Sequence, residues 1–165
     1  MRNTPSDGPR ALQRQARALR ERFDTVLLAT ASSDGIPLIS YAPFVLDDEE
    51  AVCIYVSELA GHTRNLADRP VASLMFIVDE SQTRNPFARE RLVLQCRAQE
   101  VRGKPARPLL ERMEARFGST MELLRTLPDF HLFRFQVENG SYVRGFGQAW
   151  SLEGNELKIA ELKRG

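Results

Sequence analysis

Leu12, Ala16, Leu19 and Phe23 recur at helical spacing behind Pro9, a residue suited to the first helical position. The pattern predicts an amphipathic N-terminal helix ending near Phe23. From Thr25 the period drops to two. Thr25–Ala31 and Pro37–Leu46 read as strands around the turn cluster Ser32-Ser33-Asp34-Gly35. Ala51–Val56 returns as a third strand after the charged turn Asp47-Asp48-Glu49-Glu50. In the second of these strands Leu38, Ser40, Ala42 and Phe44 share one face, and Ile39, Tyr41 and Val45 the other. The expectation is a three-stranded antiparallel meander.

A short helix is predicted from Gly61 to Asp68, stopped by Pro70 because proline disfavours helical geometry before it. Val71–Val78 is almost continuously apolar and is expected to be a strand buried on both faces. Asp79 to Ala88, with Pro86, is a polar excursion long enough to have a function of its own. Arg91–Arg102 alternates again, with Leu92, Leu94 and Cys96 on one side. Pro105 opens a helix carrying Leu109, Met113 and Phe117, which Gly118 stops. Ser119-Thr120-Met121-Glu122 reads as a capping box for one more helix, ended by Pro128. Phe130–Val137 and Ser141–Leu152 then read as a last hairpin turning on Glu138-Asn139-Gly140.

That makes six or seven strands and three or four helices, joined mostly by hairpins. The fold expected is mainly β, an antiparallel barrel with helical insertions, whose closure removes exposed strand edges. Within one domain the organisation is an N-terminal helix over 1–24, a barrel over 25–152 and a polar tail over 153–165.

Composition changes this picture little. The 165 residues are 42% hydrophobic and 27% charged, values of an ordinary soluble globule. Lys plus Arg, 23, nearly balances Asp plus Glu, 22, so no bulk field favours nucleic acid or an anionic membrane. No run is long enough to span a bilayer, and Met1 to Gly8, expected to be frayed, lacks the apolar core of a secretory signal. Cys53 and Cys96 lie in alternating apolar stretches and read as buried thiols, so the expected compartment is the cytoplasm. Charge is uneven at the start, where Arg2, Arg10, Arg14, Arg17, Arg20 and Arg22 face only Asp7 and Glu21. A solvated helix face is the expectation there, with an anionic partner as the alternative.

There is no zinc pattern, phosphate loop or glycine-rich dinucleotide fingerprint. The informative stretch is Ala51–Leu66, AVCIYVSELAGHTRNL, where a strand ends at Ser57 and a helix begins near Gly61. His62, Thr63, Arg64 and Asn65 fall in its first turn, where free amides, a hydroxyl and a guanidinium suit an anion. The same residues serve equally well if Thr63 or Ser57 caps the helix and Arg64 faces water. His131, alternating with Phe133 and Phe135, reads as a half-buried structural histidine. Gly145-Phe146-Gly147 reads as a bend or as a place of close backbone approach.

The segment IYVSELAGHTRNLADRPVASLMF, Ile54–Phe76, together with the strand before it, resembles the flavin site of the pyridoxamine 5′-phosphate oxidase-like split barrels. Four motifs in order resemble the HugZ/HutZ haem-utilisation branch of that superfamily: SYAPFV from Ser40, HTRNL from His62, RERL from Arg89 and YVRGFGQAW from Tyr142. The resemblance runs from about Thr25 to Leu152 and implies a homodimer of FMN-binding split barrels of six strands, with the cofactor at the dimer interface. It also implies cofactor-binding roles for Ser40, Tyr41, Tyr55, Ser57, His62, Thr63, Arg64, Asn65 and Arg91. Two departures stand out. The Arg-x-His element of true pyridoxamine 5′-phosphate oxidases has no counterpart after Trp150, and no histidine follows His131 to act as the tail ligand of the haem-binding members. His62 could substitute for that ligand, but a histidine at a helix start is more often a phosphate or backbone donor, so no metal ligand is expected.

Three functions follow as expectations. The first is an FMN-dependent oxidoreductase of unknown substrate, in which the cofactor carries the electron chemistry. The second is a haem-binding or haem-degrading protein. The third is a non-catalytic dimeric binding domain, since one fold hosts unrelated functions.

Overall fold

The computed structural model describes residues 8–162; Met1–Asp7, expected to be frayed, and the last three residues of the polar tail lie outside it. Helix α1 (Pro9–Glu21) leads into the meander β1 (Thr25–Ala31), β2 (Pro37–Leu46) and β3 (Val52–Ser57). Helix α2 (Gly61–Asp68), β4 (Val71–Ile77) and β5 (Arg91–Val101) follow, with two short 3-10 turns, Glu80–Gln82 and Pro86–Ala88, between the last two. Helices α3 (Ala106–Phe117) and α4 (Ser119–Leu124) precede β6 (Phe130–Gly145), β7 (Gln148–Glu153) and β8 (Lys158–Leu162).

Strand order β3-β2-β1-β4-β5-β6 is closed by a β3–β6 pairing, giving a six-stranded antiparallel barrel from which β7 and β8 extend. The barrel interior holds the larger core, including Leu28, Phe44, Ile54, Phe76, Leu94 and Phe135. A smaller core forms outside the wall, where α3 and α4 pack Leu109, Met113 and Met121 onto Val45, Cys53 and Leu132. Arg112 donates to the Leu46 carbonyl at 2.8 Å and Arg116 to that of Phe23 at 2.8 Å, pinning α3 to the barrel. No helix among the described residues is long and apolar enough to cross a membrane.

The meander, α1, α2 and the barrel stand as expected. Both thiols are free and buried, and burial pushes each up to about 12. Five local expectations need correction. Asn139-Gly140 is no turn but lies inside β6, where Gln95 faces Asn139 and Cys96 faces Val137; Glu138 is the extra residue of a bulge. The hairpin turns instead at Phe146-Gly147, with Gly147 at φ 68°. Ser119 makes no capping hydrogen bond, because Gly118 at φ 66° already forms the boundary between α3 and α4. β4 is buried on one face only, and β3, covered by the barrel core on one side and α3–α4 on the other, is the doubly buried strand. Within the polar tail Lys158–Leu162 pairs with β7 as β8.

Arg20 is the fifth correction. It is fully buried rather than solvated, donating to the Glu50 carboxylate at 2.9 Å and to the Glu50 and Asn155 carbonyls at 3.1 Å each. Burial lowers its pKa to about 10.

Candidate functional site

β3 ends at Ser57, and the chain reverses there within a few residues. The Ser57 carbonyl accepts from Ala60 N–H at 3.1 Å and from the Thr63 hydroxyl at 2.6 Å. The Ser57 hydroxyl donates to Asp129 Oδ2 at 2.7 Å, fixing the turn to the approach of β6. Asn65 donates to the Thr30 hydroxyl at 3.0 Å and ties the middle of α2 to β1. These four local bonds set the direction of the first helical turn.

His62 points inward from that turn and is 7% exposed. Its Nδ1 lies 2.8 Å from Ser40 Oγ, whose own proton goes to the Leu28 carbonyl across the β1–β2 ladder at 3.4 Å. We assign the tautomer with Nδ1 protonated and Ser40 accepting, on the ground that the Ser40 hydroxyl is directed to the Leu28 carbonyl. Nε2 is buried without a hydrogen-bond partner among the described residues. Burial holds the ring's pKa below its ordinary value, so the imidazole is neutral and Nε2 presents a lone pair.

A cavity of about 430 Å³ adjoins His62. Tyr41, Tyr55 and Ser57 line it from the barrel wall, and Met113, Phe117 and Met121 from α3 and α4. Tyr55 lies against Phe130 with ring centroids 5.1 Å apart, and burial raises its pKa. The volume and mostly apolar wall, with a few polar groups at one side, are those of a small-molecule pocket.

The sequence-predicted residues divide between two places. Tyr41, Tyr55, Ser57 and His62 meet at this cavity, with Ser40 directly behind His62. Thr63 and Arg64 line a second cavity of about 510 Å³, together with Glu58, Glu100, Arg102 and His131. Thr63's hydroxyl is engaged inside the fold by Ser57. Arg91 opens β5, donates to the Arg89 carbonyl at 3.1 Å and lines neither cavity. His131 is half-buried as expected, but the carboxylates on both its nitrogens were not foreseen. Nor was the Met113–Phe117–Met121 wall, whose helical spacing was visible without its destination.

One uncovered surface adjoins the site. On the outer face of the barrel Leu27 pairs with Tyr41 and Met75, and Ala29 with Ile39. Ile39 is 74% and Tyr41 67% exposed, an apolar strip on a wall where polar residues are the norm.

Comparison with known proteins places this geometry in context. The family model described as pyridoxamine 5′-phosphate oxidase matches residues 12–144. The protein named heme oxygenase HutZ from Vibrio cholerae is 38% identical over 148 residues, 88% of this chain and 84% of its own length. The crystal structure of HutZ, described as a heme storage protein from the same organism, superposes with a TM-score of 0.72 at 36% identity. That superposition covers 77% of this chain and 90% of HutZ. Campylobacter jejuni ChuZ superposes with a TM-score of 0.82 at 28% identity, covering 95% of this chain and 65% of its own.

Proposed function

The chain belongs to the pyridoxamine 5′-phosphate oxidase family of split barrels, and on that premise we propose that it binds haem in the apolar cavity beside His62, at a contact between two copies of the chain. The observation that carries this reading is the buried, unpartnered Nε2 of His62. The sequence has two histidines, and both nitrogens of His131 are taken by carboxylates. His62 is thus the one with a ring nitrogen to give, and a neutral imidazole lone pair is what haem iron accepts.

The flavin preferred from the sequence has less support. A phosphate needs donors, whereas the Thr63 hydroxyl is already donated to Ser57 and Arg64 lines the other cavity rather than the one beside His62. HutZ, 38% identical to this chain, is named a heme oxygenase, and its crystal structure is described as that of a heme storage protein. Bound haem supplies an iron centre for oxygen and electron chemistry. Ser40 fixes the tautomer and plane of His62, Tyr41 and Tyr55 supply aromatic surface, and Met113, Phe117 and Met121 keep water from the cavity. The strip of Leu27, Ile39 and Tyr41 is the surface on which the second copy sits in this reading, which brings the partner to the edge of the cavity through Tyr41.

Parallel titrations of the purified protein with ferric haem and with FMN test the proposal. A saturable Soret band at about one haem per protomer, with no FMN fluorescence quenching, is the expected pair of results. FMN taken up stoichiometrically with no saturable Soret band overturns it.

A further inference from the structure

His131 sits on the seam that closes the barrel, opposite Val56 in the β3–β6 ladder. Its Nδ1 lies 2.7 Å from Glu100 Oε1 and its Nε2 2.6 Å from Glu58 Oε1. A carboxylate only accepts, so an imidazole satisfies one on each nitrogen only when both carry protons. The groups around it come from three elements. Glu100 and Arg102 lie at the end of β5, joined to each other at 2.7 Å; Glu58 lies beyond the end of β3; Arg64 of α2 lines the same cavity. Glu100 first and Glu58 second raise the imidazole's pKa above its ordinary value, against a smaller opposing effect of burial.

Glu58 belongs to residues 58–60, the connector between β3 and α2. Its backbone N–H donates to the Asp129 carbonyl at 2.8 Å, and Leu59 N–H to the Ser57 hydroxyl at 3.1 Å. Ala60 N–H donates to the Ser57 carbonyl at 3.1 Å, and the side-chain bond of Glu58 to His131 adds a tie from the connector to β6 and on to β5. One residue beyond the connector α2 begins, directing His62 to one cavity and Arg64 to the other.

We propose that Glu58, His131 and Glu100 form a proton-operated latch that fixes the β3–α2 connector, and with it the first turn of α2. The latch itself does not depend on the haem reading; only its bearing on His62 does. A neutral ring donates to one carboxylate at a time. Glu100 keeps Arg102 when that happens, while Glu58, with a side chain 62% exposed, is the acid released to water. The raised pKa sets the sign: the latch is closed at low pH and opens as pH rises through the folded-state value.

The full chain without cofactor suffices for the test. Two histidines give two imidazole resonances in NMR, assigned with His131→Gln and titrated against pH. The expected His131 midpoint lies above the ordinary value of 6.5. Amide exchange at residues 58–61, corrected for its intrinsic pH dependence, is expected to quicken about three- to tenfold across that midpoint, the scale of one partly exposed ionic contact. Glu58→Gln, which keeps the shape of the side chain, is expected to lower the midpoint and remove the step, and it serves if His131→Gln does not fold. A midpoint at or below 6.5, a connector with no step there, or a Glu58→Gln variant titrating like the parent overturns the latch. Since haem plays no part, the latch and the haem reading fail separately.

Discussion

Ser40 and His62 are joined at 2.8 Å, and a serine in the middle of β2 thereby decides which nitrogen of a histidine on α2 is free. The arrangement resembles the way buried histidines are oriented for metals, where the nitrogen away from the metal is held by a fixed partner. Ser40→Ala removes the partner without touching the cavity wall. Haem affinity is expected to fall about tenfold, the low end for loss of such a partner. The Soret band should broaden, since the ring then lacks a fixed plane. Equilibrium titration checks both.

The apolar strip on the barrel's outer face gives a prediction about assembly. Ile39 and Tyr41 carry much exposed apolar surface, and neither touches the barrel core. Ile39→Glu puts like charges opposite each other across the proposed two-fold contact and is expected to yield monomer. Analytical ultracentrifugation reads the change in mass, and far-UV circular dichroism should stay that of the folded barrel.

Arg20 is a stability residue. Arg20→Ala leaves Glu50 with Arg17 as its other ion-pair partner and strands the carbonyls of Glu50 and Asn155. Losing one member of a fully buried pair costs about 3–5 kcal/mol, and the partial exposure of Glu50, 23%, brings the expectation to about 2–3 kcal/mol. Arg20→Met, which restores the packing volume, should recover part of it. Urea denaturation of both variants measures the difference.

Gly140 lies where two strands come too close for a side chain. A Cβ there would stand 2.4 Å from the Val93 carbonyl oxygen and 2.9 Å from Leu152 Cδ1. Backbone cannot yield as a side-chain end can, so Gly140→Ala is expected to cost about 2–3 kcal/mol, the upper range of overpacking. A thermal melt reports it as a lowered Tm.

The same glycine shows where sequence reading reached its limit. Asn139-Gly140 carries a strong local turn signal, yet β5 offers partners to both sides of it, Val93 for Ser141 and Cys96 for Val137. Long-range pairing won, and Asn139 and Gly140 became ladder partners of Gln95 and Leu94, next to the bulge at Glu138, within one 16-residue strand. Where no distant partner competed with the local signal, the reading held. Proline and glycine bounded α2, and alternation gave β1, β2 and β3. The HTRNL segment pointed to the helix start that carries His62. Residues brought together only by barrel closure, such as Glu58, Glu100 and His131, stood 31 or more positions apart and left no mark in any single stretch. The split of His62 and Arg64 between two cavities was equally hidden, because neighbours on one helical turn face different ways.

Whether His62 Nε2 holds haem iron is decided most directly by His62→Gly with added imidazole. The expected variant forms a ferric haem complex that is weak and spectrally altered, and free imidazole restores the parent's Soret maximum and tight binding. A variant whose Soret maximum and affinity match the parent's with no imidazole present would contradict ligation by His62.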